Sequence, residues 1–309
     1  MTPVPALAAA PVRAPSWLAD LVPAPLQGSG IGALQGGPVQ ALALAVRGLG
    51  RRRELARRRG LGTSLGIDMV NAAVAELLAR GALPRAAALH VEAADDAALA
   101  EGAVAGIVRG CRAHGVEIAC GEASVAPDTE HVSLVLVGGV IAAASTPAPG
   151  WVVLALRRNG LCDVDFEWAW RRLQQLELDL EQPLPAGDRL GDALLAPQAC
   201  CLDVLRDPLR QGWPVRLVAV GEGGLAGSLA AALPAGVGAE LDLTAWPAPE
   251  PFPQLLARGA GMGAAASACS LGCPMLVVVP AADATRWLEH TRAWNEPAHR
   301  IGELQALGG

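Results

Sequence analysis

The chain is built from short apolar runs of strand length that alternate with longer stretches of helical period, on both sides of one Pro/Gly-rich break, STPAPG at 145–150. Before the break QALALAVRGLG reads as a strand running into a glycine loop, AAALHVEA as a strand, VEIACGEASVAP as a strand followed by a loop, and HVSLVLVGGVIAA as a buried strand; WVVLAL, VRLVAVG, AELDLTAW and PMLVVVP read as strands after it. Between them lie helical stretches. In SLGIDMVNAAVAELLARGALP, Met69, Ala73 and Leu77 recur at helical spacing, and Gly81 and Pro84 supply the stop signal. Later helices are expected in DDAALAEGAVAGIVRGCRAHG, FEWAWRRLQQLELDL, ALLAPQACCLDVLRDPLRQG, LAGSLAAAL, PQLLARGA and DATRWLEHTRAW. RRRELARRR reads as a short polar helix or turn. Alternation of this kind gives an α/β or layered α+β class. Two domains suit 309 residues. The expected division is an Ala/Pro-rich loose arm at 1–27, a first domain at 28–148 and a second at 149–309.

Composition narrows the chemistry. There is no Lys, so no side-chain amine is present for Schiff-base, general-base or point-charge phosphate work. A net charge of −6 argues against a nucleic-acid-binding protein. Seven Cys, an odd number without a C-x-x-C pair, fit reduced thiols in a cytoplasmic protein better than a disulfide framework or a zinc site. The five His lack metal-ligand spacing. The N-terminus is broken by Pro3, Pro5, Pro11 and Pro15 and lacks the pattern of a signal peptide, and Pro, Gly or charge interrupts every run that approaches membrane-helix length.

One local exception to the acidic balance is the crowd of Arg47, Arg51, Arg52, Arg53, Arg57, Arg58 and Arg59. It reads either as a solvated basic helix face or as an anion site for a phosphorylated metabolite, since guanidinium forks match phosphate oxygens.

Several segments, in order, resemble the aminoimidazole ribonucleotide (AIR) synthetase family, from about Ser29 to Leu304. They are Ser29 to Leu34; Gly66, Ile67, Asp68 and Val70; Gly81, Ala82 and Pro84; Gly121 and Glu122; Leu194 to Pro197; Gly223 and Gly224; Met275; and Arg300, Ile301 and Gly302. The resemblance implies a two-domain fold with an N-terminal sheet used in homodimerisation and a C-terminal α/β sandwich. It also implies ATP-dependent ring closure of formylglycinamidine ribonucleotide with Mg²⁺. Thiamine-phosphate kinase, selenophosphate synthetase and hydrogenase-maturation proteins are the competing branches of the superfamily. Carried onto this chain, the family's glycine loops put Gly48, Gly50, Arg51, Arg52, Gly121, Gly223 and Gly224 around the nucleotide, and Asp68, Glu76 and Glu122 on the metal.

The chain also departs from that family. An Asp of the first glycine loop is Arg47, which reverses the charge where a metal would sit. The His-Asp-Thr before the GID segment is Gly62, Thr63 and Ser64, and an Asn-Asp pair is Ala75 and Glu76. The loop that opens the second domain is Asn159 to Asp165, without the family's His, Asn and flexible Gly. The Thr and Arg that follow LLAP are Gln198 and Ala199, and Glu222 stands inside the last glycine loop. These losses point to weakened or absent catalysis, or to a structural or partner-binding role.

Overall fold

The computed structural model describes residues 16–17, 41–156, 160–244, 246–257, 259 and 261–307. The Ser29–Leu34 segment and Asn159 lie outside the described residues, as does most of the expected arm. The described part of that arm is docked rather than loose: Trp17 is buried, and the Ser16 amide donates to the Asp95 carboxylate at 2.9 Å.

In chain order the elements are β1 (Leu42–Gly48), α1 (Arg53–Arg59), α2 (Gly62–Ala79), β2 (Ala82–Ala93), α3 (Ala98–Ala113), β3 (Glu117–Val125) and β4 (Glu130–Val140). After the Pro/Gly-rich break come β5 (Trp151–Leu156), α4 (Asp165–Gln175), α5 (Leu190–Ala193), α6 (Leu202–Arg210), β6 (Arg216–Ala219), α7 (Gly224–Ala232) and β7 (Val237–Leu241). The chain ends with α8 (Phe252–Leu256), α9 (Met262–Ala266), β8 (Met275–Pro280), a 3-10 turn, α10 (Ala284–Ala293) and β9 (Ala298–Ala306).

Every strand before the break joins one sheet of order β1-β4-β2-β3, and every strand after it joins a second of order β6-β8-β5-β9-β7. In the first sheet only β2 and β3 run parallel, joined by the crossover helix α3; every pairing in the second is antiparallel. The central β5 and β8 are buried almost throughout, which is why WVVLAL and PMLVVVP carry apolar residues at every position rather than at alternate ones.

Helices α2 and α3 cover one face of the first sheet. They cross at backbone contact: a Cβ at Gly66 would strike the Ala103 carbonyl, and one at Gly106 the Thr63 carbonyl. Gly66, in the GID segment, is thus required by helix packing. The other face of that sheet is open along β1, where Leu42, Leu44 and Val46 are 54, 66 and 61% exposed and lie in register with Gly139, Val137 and Val135 of β4. Helix α2 also touches β6 and α6, so the two halves meet along it.

Three expectations need correction. In VEIACGEASVAP the strand β3 runs on through Gly121 and Glu122 as far as Val125, because it stays paired with β2 apart from one register shift at 87/88; the loop begins only at Ala126. GALP opens a strand instead of only ending a helix, and Pro84, which has no amide hydrogen to give the ladder, sits beside a register shift at 84/86. The helix expected over 193–212 is interrupted: α5 ends at Ala193 and α6 starts at Leu202, since Pro197 cannot continue a helix. The strand β9 and the short helix α9 were not anticipated. Among the described residues no helix is long and apolar enough to cross a membrane.

Candidate functional site

Between the two sheets lies a cleft of about 540 Å³, lined by residues that include Gly48, Gly50, Asp68, Glu76, Asp163 and Glu222. It brings together much of what the sequence proposed. Gly48 and Gly50 stand at the exit of β1, Asp68 and Glu76 on α2, and Gly221 and Glu222 just before α7. Gly121, Glu122, Gly223 and Gly224 do not line it.

The side chain that dominates the region is Arg52. It enters the core at the N-terminal end of α1 with 1% of its surface exposed. Its guanidinium pairs with Asp68 Oδ2 and reaches the Ala196 carbonyl at 3.5 Å. Burial opposes the charge, but the Asp68 carboxylate, through both field and hydrogen bond, and the Asp163 carboxylate outweigh it, so the Arg52 pKa is raised. Asp68 Oδ1 accepts the Gln198 amide at 2.7 Å. One turn further along α2, Asn71 Nδ2 donates to the Gln198 carbonyl at 2.6 Å, and Asn71 Oδ1 contacts His114 Nε2 at 2.9 Å. Burial lowers the His114 pKa. Arg52, Asp68 and Asn71 therefore tie the first half of the molecule to the 196–198 loop of the second.

The glycine turn at the cleft mouth is also occupied from within. Gly50 has φ +71°, and a side chain there would run into the Asp163 carboxylate. Asp163 Oδ1 accepts the Arg51 amide at 3.0 Å and lies 3.9 Å from Arg52 Nε. An anion thus already sits on the turn that was expected to hold a phosphate. The Arg51 side chain points to Glu167, at 2.6 Å, and Glu222, at 3.7 Å. Glu76 pairs with Arg47.

The residues expected to hold Mg²⁺ do not fit it. Both oxygens of Asp68 are engaged, Glu76 is paired, and Glu122 is on the edge strand β3, in register with His90 and away from the cleft. Among the described residues no three His, Cys, Asp or Glu side chains converge on one point that could hold a metal ion. Gly224, which opens α7, serves packing: a Cβ there, at φ +62°, would lie 2.6 Å from both the Ala266 carbonyl oxygen and the Cys269 nitrogen. Each of the four cleft-lining carboxylates is engaged by an arginine: Asp68 by Arg52, Glu76 by Arg47, Asp163 by Arg51 and Arg52, and Glu222 by Arg51.

Beneath the cleft is a buried group that sequence reading missed as a unit. Asp165, fully buried, accepts the Ser270 amide at 2.6 Å, the Ser270 hydroxyl at 2.5 Å and the Cys162 amide at 3.0 Å. Burial pushes its pKa up to about 6 in spite of the Ser270 hydrogen bonds. Burial, with the Asp165 charge beside it, raises the Cys162 thiol pKa well above its ordinary value, so that thiol is inert. Asn71 and Ser270 carry no motif; only their tertiary neighbours mark them.

Residues 31–144 match the model of the N-terminal domain of AIR synthase related proteins, and residues 138–309 match that of the C-terminal domain. The chain is similar to a chloroplastic phosphoribosylformylglycinamidine cyclo-ligase of Arabidopsis thaliana, 29% identical over 276 residues, which covers 85% of this chain and 71% of that protein. It is 31% identical over 273 residues to a phosphoribosylformylglycinamidine cyclo-ligase of Burkholderia ambifaria (strain MC40-6), covering 84% of this chain and 77% of that one. Among solved structures it shares its fold with thiamine-monophosphate kinase from Stenotrophomonas maltophilia K279a (TM-score 0.65, 20% identity, 87% of this chain and 84% of that chain). It also shares it with hydrogenase maturation protein HypE in complex with ATP (TM-score 0.63, 20% identity, 89% and 80%).

Proposed function

This chain belongs to the AIR synthase related protein family, and on that premise we propose that it keeps the family's two-domain body while its cleft has lost metal-assisted ATP chemistry. The observation that carries this reading is the buried Arg52–Asp68 pair. ATP-dependent ring closure of formylglycinamidine ribonucleotide needs carboxylates free to hold Mg²⁺ and donors free for the phosphates. Here Asp68 is consumed by Arg52 and Gln198, and the amide of the glycine turn is consumed by Asp163. Breaking a buried pair leaves a charge stranded at a cost of about 3–5 kcal/mol, so a metal ion does not readily displace Arg52. The protein acts as a structural or ligand-binding homologue of the cyclo-ligases. The open apolar face at Leu42, Leu44 and Val46 supports a homodimer joined through the first sheet.

A second reading is an ATP-dependent enzyme of another branch, thiamine-phosphate kinase-like or selenophosphate synthetase-like. It is favoured by the cleft, still about 540 Å³, and by the likeness to HypE bound to ATP. Isothermal titration with a non-hydrolysable ATP analogue, with and without Mg²⁺, separates the two. The first reading expects no Mg²⁺-dependent heat up to millimolar nucleotide and no turnover of formylglycinamidine ribonucleotide. Mg²⁺-dependent binding near micromolar, about 8 kcal/mol, overturns it.

A further inference from the structure

The arginine-rich stretch 47–59 is largely neutralised inside the molecule. Arg47 pairs with Glu76, Arg51 with Glu167, Arg52 with Asp68, Arg57 and Arg58 with Glu54, and Arg59 with Glu181 and Asp192; Arg53 alone is exposed and unpaired. Two guanidiniums elsewhere lack any such partner and share one groove. Arg80 caps the C-terminal end of α2, and Arg216 begins β6. Arg216 Nε is buried without a hydrogen-bond partner.

The groove, about 910 Å³, lies between the edge strand β1 of the first sheet and the edge strand β6 of the second. Glu76 is the one carboxylate in its lining and is already paired with Arg47, which leaves two uncompensated positive charges. The rest of the wall is aliphatic: Leu217, Val218, Ala231 and Ala232 come from the second half, and Leu42 and Leu44, which also border the face given above to the homodimer, come from β1; the exception is the Ser228 hydroxyl, which accepts the Gly221 amide. No aromatic side chain lines it, so nothing there stacks on a base.

We propose that this groove is a binding site for a small phosphate monoester carried on a non-aromatic carbon skeleton. Arg80 and Arg216 hold the phosphate dianion, and the carbon body lies along the aliphatic wall. Two guanidiniums match two negative charges, and neither has a carboxylate partner to give up. The site is separate from the cleft and holds whether or not the cleft binds nucleotide.

The test is thermal unfolding and isothermal titration with inorganic phosphate, glycerol 3-phosphate and AMP. Saturable stabilisation by glycerol 3-phosphate is expected, with AMP no better than inorganic phosphate. Arg80→Gln and Arg216→Gln should each weaken it about tenfold or more, as expected for loss of a charged hydrogen-bonding partner. Arg53→Gln, at the exposed unpaired arginine, should leave it unchanged. Arg80 is exposed, so its variant reports even if the Arg216 variant folds poorly. Equal weakening in all three variants, or no saturation, overturns the proposal. A change of oligomeric state in the Arg80 and Arg216 variants without any phosphate effect assigns these arginines to a subunit contact and also overturns it.

Discussion

Arg52 and Asp68 form a buried ion pair whose carboxylate also accepts the amide of Gln198, so that one contact fills the expected metal position and fastens the two halves together. A residue read from the sequence as a metal ligand is, in the folded molecule, part of an interdomain tie. Arg52→Met strands the Asp68 charge and is expected to cost about 3–5 kcal/mol in urea unfolding. The double variant Arg52→Met with Asp68→Leu is expected to recover much of that loss. A single variant as stable as the parent contradicts the assigned role.

Asp165 gives the protein a pH response of defined sign. Its folded-state pKa, about 6, lies above its ordinary value of 3.8. The stability it contributes is therefore complete below about pH 4 and is lost as pH rises through about 6, by about 3 kcal/mol. Its neighbours do not mask this: the Cys162 and Cys269 thiols are pushed up and stay neutral, and Arg52 stays charged. Denaturation of the parent and Asp165→Asn between pH 4 and 8 is expected to show the difference between them shrinking as pH rises.

Gly50 is constrained twice, by its left-handed backbone and by the Asp163 carboxylate beside it. Gly50→Ala is expected to lose about 1–3 kcal/mol. Gly221 meets nothing where a Cβ would project, so Gly221→Ala serves as the control and should change stability little.

The open face of β1 predicts a change in assembly without a change in fold. Leu44→Glu puts a charge on a side chain already 66% exposed. Its thermal unfolding as a monomer should be near that of the parent monomer, while sedimentation should shift from dimer to monomer. An unchanged sedimentation profile argues against the first sheet as the subunit contact.

The order of most strands and helices and the buried centre of the second half were legible in the chain. They depend on apolar period and on Gly/Pro punctuation, which are local properties. The glycines were legible as required positions, but their reasons were not. Gly224, expected at the nucleotide, and Gly66, noted only as part of a family segment, are both packing glycines, because backbone from a distant segment comes to where a side chain would stand.

What the sequence determined by itself is the two-part α/β body and the absence of Lys from any chemistry it could perform. What only the tertiary structure decided is which charges remain free. Arg52 and Asp68 are sixteen residues apart, Arg51 and Glu167 more than a hundred, and nothing in either local sequence tells that they neutralise each other. Arg80 and Arg216, unremarkable in the sequence, are left without partners in one groove. Charge is written residue by residue, but its compensation depends on distance and burial, and those exist only after the chain has folded.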